Sequence, residues 1–239
     1  IIKKITKKTK LIIVINTYGN IFEIEKINKI RKEMNIYVLE DAAESFGSKY
    51  MGKYSGSLTD ISTFSFQATK VITTGEGGMV STNLNANFTK KLSLFRNHGV
   101  SDKRYFHYLA GHNFRLTNIQ ASIGCSQFSK LKNIIKKRNI LYKIYKKRLE
   151  NTSGLKLQCF SNFSEPVVWT LAVVLSKRKF KNRDFIISDM YDKGIETRNG
   201  FFSPNKLLIY KKYHSKDLKN SDFLSKQVLC LPLHYNLRE

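Results

Sequence analysis

Acidic residues, cysteines and long apolar runs are all scarce in this chain, and each scarcity excludes something. Three cysteines occur in 239 residues. Cys125, Cys159 and Cys230 are far apart, odd in number and form no Cys-x-x-Cys pair. That argues against a disulfide scaffold or a zinc site and for a reducing compartment. The longest purely aliphatic run, residues 11–15, is far shorter than the roughly 20 residues that span a bilayer. No apolar segment followed by a small-residue cleavage site stands near Ile1. The expectation is a cytoplasmic protein with no membrane partner and no bound metal.

The shortage of acid leaves 42 Lys+Arg against 18 Asp+Glu, a formal net charge of +24. Such a charge invites a nucleic-acid reading. Yet 32 of the bases are Lys and only 10 are Arg, and they are spread along the whole chain. Ile and Asn are also abundant, as in the product of an AT-rich gene. Specific nucleic-acid readers rely on arginine and clustered aromatics, and no recognition motif is present. The charge therefore reads as solvated surface, with nucleic-acid binding the weakest alternative and no nucleic-acid partner expected. A positive field would still favour phosphate-bearing substrates.

What is present is a globular composition, 41% hydrophobic and 12% aromatic, in a pattern that alternates strand and helix. Residues 11–18 read as a buried strand closed by Gly19-Asn20. Ile24, Ile27, Ile30 and Met34 recur at helical spacing, and residues 36–39 form a second apolar strand. Strand, helix and strand predict a βαβ unit and a parallel sheet. Ligands bind such sheets at the carboxyl ends of the strands, where Asp41 falls. A Gly- and Ser-rich loop over 47–57 leads to strands at 61–66 and 78–82. A helix is expected over 86–97, with Phe88, Leu92 and Phe95 on one face. Helix is expected again from Thr117 to about Glu150, with an apolar stripe opposite its lysines and arginines. Beyond Asn151 a strand over 167–175, a helix over 185–193 and a loop holding Thr197-Arg198-Asn199-Gly200 read as a smaller α+β domain. The expected division is 1–130 for a large domain and 131–239 for a connector helix and small domain.

The stretch Ser62-Thr63-Phe64-Ser65-Phe66-Gln67-Ala68-Thr69-Lys70 brings one lysine into a polar loop, and Gly75-Glu76-Gly77-Gly78 then turns the chain. Pyridoxal phosphate chemistry needs a lysine amine to hold the cofactor as an imine and carry protons. It also needs a carboxylate on the pyridine nitrogen and donors for the phosphate. Lys70, Asp41 and Ser65 fit those tasks by residue type. Taken alone they are equally a surface lysine, an aspartate capping a following helix, and an ordinary strand serine. Glu76 reads as structural, His98, His107 and His112 lack metal-ligand spacing, and Arg115 reads as fixing its own loop.

Residues 38–47 (VLEDAAESFG), 61–80 (ISTFSFQATKVITTGEGGMV) and 111–124 (GHNFRLTNIQASIG) resemble the DegT/StrS family of sugar aminotransferases. The likeness continues through Gly194-Ile195-Glu196-Thr197-Arg198 and Leu231-Pro232-Leu233. Residues 103–116 (KRYFHYLAGHNFRL) are similar in particular to its perosamine synthase-like branch. The resemblance implies an α/β fold of the fold-type-I aminotransferase class, with a partial large domain and a smaller C-terminal α+β domain. It implies that Lys70 carries the pyridoxal 5'-phosphate and moves the substrate proton, and that Asp41 pairs with the pyridinium nitrogen. Glu44 would bond the ring hydroxyl, Ser65 the phosphate, and Asn113 the phosphate of the neighbouring subunit in a homodimer with shared active sites. Arg198 would lie on the substrate side. The implied reaction is transamination of a nucleotide-linked 4-keto-6-deoxy sugar by an amino-acid donor, glutamate, for amino-sugar and polysaccharide biosynthesis.

Full-length members of that family carry, ahead of the strand at 11–18, a Gly-Thr or Gly-Ser phosphate loop and an aromatic residue that stacks on the cofactor. Neither is found in this sequence, nor is the family's last helix. The expectation is a truncated or split gene product or a partial sequence, and the rival reading is a non-catalytic remnant that serves as a dimerisation partner.

Overall fold

The structure, a computed structural model, describes residues 1–180 and 182–237. It divides into two compact units, Ile1–Asn133 with Asn162–Val167, and Ile134–Ser161 with the chain from Val168 onward.

The first unit begins with β1 (Leu11–Ile15), α1 (Ile24–Met34) and β2 (Tyr37–Asp41), the expected βαβ unit. β1 and β2 run parallel in register from Leu11 opposite Tyr37 to Ile15 opposite Asp41. Ile24, Ile27 and Ile30 are buried, and the last two pack on Val14 and Val38. Each such side chain contributes about 1.5–3 kcal/mol on burial, which is what holds the helix on the sheet. Met34, next on the same stripe, stays exposed. The helix stops at Asn35, which adopts the left-handed conformation typical of a C-cap. Arg31 then reaches Asp60 at 2.8 Å, and the other oxygen of Asp60 accepts from the Val38 amide at 2.9 Å.

The hairpin β3 (Lys49–Tyr50) and β4 (Lys53–Tyr54) lies inside the stretch read as a loop. Met51 and Gly52, both at positive φ, make the tight reversal, and Tyr50 is buried as its anchor. β5 (Ile61–Ser65) follows, parallel to β2, and β6 (Gly78–Thr82) returns antiparallel beside β5. The sheet order is β1-β2-β5-β6. The carboxyl ends of β1, β2 and β5 therefore lie side by side, with Ile15, Asp41 and Thr63 in register.

α2 (Ala86–Arg96) matches the expected helix, although Phe95 is exposed. The helix expected over 117–150 is two helices, α3 (Asn118–Ser129) and α4 (Leu131–Leu149). Thr117 and Gln120 form a reciprocal capping box at the start of α3. At its end the Lys130 amide bonds Gln127 in a tightened turn, and the Ser129 hydroxyl donates to the Ser126 carbonyl. Those two contacts break the helical ladder where the apolar pattern shows no interruption. One residue of α4 also reverses expectation. Arg138 is buried on the apolar stripe, between Ile134 and Leu141, not on the solvated side.

The second unit is built on β7 (Leu155–Leu157), β9 (Leu171–Leu175), β10 (Arg198–Asn199) and β11 (Val228–Leu231), with β8 (Ser164–Glu165) belonging to the first unit beside β3. Its antiparallel order is β10-β11-β9-β7. Leu171, Val173, Leu175, Leu229 and Leu231 form the core, covered by Tyr142, Tyr145 and Leu149 and by Ile186, Ile187 and Met190 of α5 (Arg183–Asp192). Asn182 caps α5 by accepting from the Asp184 amide at 2.8 Å. α6 (Lys219–Gln227) has no counterpart in the sequence reading, because its segment is mostly polar and buries only Ser225 and Gln227.

Candidate functional site

Asp41 is the last residue of β2. Its carboxylate accepts from the Ala43 amide at 3.1 Å and so caps a turn, since no helix follows directly. The backbone on either side is pinned to both neighbouring strands. The Asn16 amide donates to the Asp41 carbonyl at 3.0 Å, and the Ala42 amide donates to that of Thr63 at 2.9 Å. The turn carries Glu44 back toward the strand ends, where one carboxylate oxygen accepts from the Tyr18 amide at 2.8 Å. Tyr18 holds a positive φ of 57° and is followed by Gly19, also at positive φ, so the backbone bends to present that amide.

Lys70 approaches from the loop after β5. The Phe66 amide bonds the Gly77 carbonyl at 2.8 Å and the Thr74 amide bonds that of Phe66 at 2.9 Å, which closes the loop at its base. Val71 and Ile72 are buried and anchor it. The Lys70 amine then lies 3.7 Å from the second oxygen of Glu44, with side-chain exposures of 15% and 9%. Burial pushes the Glu44 carboxyl above its ordinary value. The Tyr18 amide and the Lys70 charge oppose that shift, and the nearby Asp41 charge adds to it.

Ser65 closes β5 opposite Gly78, and its hydroxyl accepts from the Gln67 amide at 3.3 Å. A side chain at residue 78 would bring its Cβ within 2.6 Å of the Phe64 carbonyl, so glycine is required there. Asp41, Ser65 and the Lys70 loop thus stem from the carboxyl ends of adjacent strands, and Glu44 links Lys70 to the end of β1.

Asn113 lies elsewhere in the first unit, exposed and bridged to Asn97. Its loop is clasped: the His98 amide bonds the His112 carbonyl at 2.9 Å, and Gly111 sits so close to the His98–Gly99 backbone that no Cβ fits. Arg115 donates to Asn97 at 3.1 Å, His107 contacts the His98 carbonyl at 2.7 Å, and His112 stacks on Phe114. The Glu76 carbonyl is held by Thr74 and Gln120. Arg198 belongs to the second unit, exposed on β10, with its guanidinium 3.5 Å from Glu196.

A cluster behind Asp41 has no place in the sequence reading. Glu40 is fully buried and accepts from Asn16 at 2.7 Å, Ser55 at 2.8 Å and Ser62 at 3.2 Å. Asn16 also reaches Ser45 at 3.0 Å, and Ser45 meets Ser55 at 2.5 Å. The available signal was alternation. In β2, Glu40 shares its face with Val38, and a charged residue on a core face demands polar partners.

Among the described residues, no helix is long and apolar enough to cross a membrane. The sequence profile of the DegT/DnrJ/EryC1/StrS aminotransferase family matches residues 1–239. GDP-perosamine synthase of Escherichia coli O157:H7 is 37% identical over 90% of this chain and 58% of its own length. GDP-perosamine synthase of Caulobacter vibrioides is 35% identical over 98% of this chain and 64% of its own length. The solved structure of Helicobacter pylori PseC, an aminotransferase involved in pseudoaminic acid biosynthesis, superposes with a TM-score of 0.91 at 27% identity. It does so over 99% of this chain and 64% of that one. The chain therefore spans about three fifths of the length of these relatives. Its architecture is the α/β fold of the fold-type-I sugar aminotransferases. With the profile matched from end to end, the chain belongs to the DegT/DnrJ/EryC1/StrS aminotransferase family.

Proposed function

We propose that this chain carries the catalytic lysine and most of the cofactor contacts of a pyridoxal phosphate-dependent sugar aminotransferase. The substrate class is a nucleotide-linked 4-keto-6-deoxy sugar, and the nitrogen donor is an amino acid, glutamate. The single observation that carries the reading is the Lys70 amine 3.7 Å from Glu44, both largely buried, beside the strand end that bears Asp41. The donor set fits pyridoxal phosphate: an amine, two carboxylates and a hydroxyl at the carboxyl ends of adjacent strands. When bound, the cofactor would supply an electron sink for amino transfer between the donor and the keto sugar.

Lys70 Nζ is the attachment point and the proton carrier at the reacting carbon. Asp41 keeps a proton on the pyridine nitrogen, where a carboxylate fixed by its own turn is suited to hold a positive charge. Glu44 pairs with the Lys70 amine and would bond the ring hydroxyl. Ser65 donates to the phosphate, and Arg198 is assigned to the substrate side.

The same reading pairs two copies of the chain, with Asn113 reaching the phosphate of the partner. Support comes from exposed apolar side chains, Phe114 in the segment that carries Asn113 and Ile119 and Ile123 on α3. Ile119 and Ile123 are one helical turn apart on α3, as an interface stripe requires. The nucleotide-sugar assignment is supported by likeness to the two perosamine synthases above.

Titrating the chain with pyridoxal phosphate tests the assignment. Wild type should develop the visible absorbance of lysine-bound cofactor, and Lys70→Ala should not. An unchanged spectrum in Lys70→Ala would remove Lys70 from the site.

A further inference from the structure

We propose that Glu40 is a positioning residue whose buried carboxylate sets the conformation of the Asp41–Glu44 turn. It acts through Asn16, Ser45 and Ser55. The inference rests on the proposed cofactor site and extends it to a group that touches neither cofactor nor substrate.

Glu40 is fully buried, and its carboxylate oxygens meet the uncharged side chains of Asn16, Ser55 and Ser62. One oxygen accepts from Asn16 at 2.7 Å and Ser55 at 2.8 Å, the other from Ser62 at 3.2 Å. Carboxyl oxygens removed from water need such donors, because each unmet acceptor retains its full desolvation cost.

The donors come from separate parts of the chain. Asn16 follows β1, Ser62 lies in β5, and Ser55 follows β4. One buried carboxylate therefore ties together the ends of β1 and β2, the β5 strand and the hairpin. Asn16 gives the tie a second link. Its backbone amide bonds the Asp41 carbonyl at 3.0 Å while its side chain spans Glu40 and Ser45. Glu40 precedes Asp41 in the chain and Ser45 follows Glu44, so both boundaries of the turn are fixed by one cluster. Rigid packing of supporting groups is what keeps reacting groups within fractions of an ångström of their working positions.

Three variants of the full chain test this: Glu40→Gln, the milder Ser55→Ala, and the exchange Asn16→Asp with Glu40→Gln, which reverses donor and acceptor. In the cofactor-free protein, amide hydrogen exchange at residues 42–46 should accelerate about tenfold in Glu40→Gln and less in Ser55→Ala, with the second unit unchanged. With pyridoxal phosphate added, Glu40→Gln should also bind about tenfold more weakly and shift the pH midpoint of the visible absorbance. The exchanged pair should recover most of both. Unchanged exchange at 42–46 in Glu40→Gln overturns the proposal, as does acceleration spread evenly through the first unit, the mark of a merely structural residue. If wild type takes up no pyridoxal phosphate, the proposed function fails, while the cofactor-free exchange result still decides the role of Glu40.

Discussion

Glu44 is the residue on which the site's electrostatics converge, because it faces Lys70, the Tyr18 amide and the charge of Asp41. Its folded-state pKa is raised above the ordinary 4.5, with burial the largest cause. The folded protein therefore holds this proton more tightly than the unfolded chain. The associated stabilisation is complete below 4.5 and is lost as pH rises through the raised value. Glu44→Gln lacks that dependence, so its melting temperature should gain on wild type as the pH goes from below 4.5 to neutral. A gap between the two proteins that stays constant with pH would refute the burial account. The places of Asp41 and Ser65 at strand ends and of Lys70 in the loop after β5 could be read from the sequence because strand ends are marked by residue type and by the glycines that follow. The pairing of Glu44 with Lys70 could not, since a loop conformation brings residues 26 positions apart together. The Glu40 cluster was not read either, because its donors Asn16, Ser55 and Ser62 come from separate segments that only the fold brings together.

Among elements, α4 shows how a correct helix can hide an incorrect face. Its stripe continues through Arg138, whose guanidinium donates to the Leu233 carbonyl at 2.9 Å and the Trp169 carbonyl at 3.0 Å. Burial pulls its pKa down to about 10, so it remains a cation at neutral pH. Spacing already placed it on that face, four residues after Ile134, and charge alone argued otherwise. Replacing Arg138 with Met should leave both carbonyls without their donor and lower stability by about 2 kcal/mol, measured as a shift in the urea midpoint. An unchanged midpoint would mean that burying the cation costs as much as its bonds contribute. The strands were the most legible elements: β6 matches its expected range in full. The hairpin β3–β4 and helix α6 were least legible, because each hangs on few buried side chains.

For the whole molecule, the basic balance and the exposed apolar face of α3 point to different consequences. A net charge of +24 on Lys-rich surface favours solubility and attraction of phosphate-bearing ligands. The exposed Ile119 and Ile123 on one side of α3, with Phe114 exposed ahead of it, work against a solitary chain. Light scattering of the 27.7 kDa chain should give about twice that mass, and Ile119→Glu with Ile123→Glu should reduce it to the single-chain value. A wild type that already runs as a single chain would dismiss the pairing and with it the shared role of Asn113. The fold class was open to sequence reading because βαβ order and ridge spacing repeat over many residues, whereas any surface that pairs two chains depends on which side chains stay uncovered. The glycine clasp at residues 99 and 111 carries a last consequence for variation. Backbone meets backbone there, and the His107 ring and the Tyr108 amide are tied to the His98 and Gly99 carbonyls, which leaves residues 101–106 as the tip beyond these ties. The tip can thus diversify, in nature or by design, as an exchangeable cassette while the clasp keeps its place.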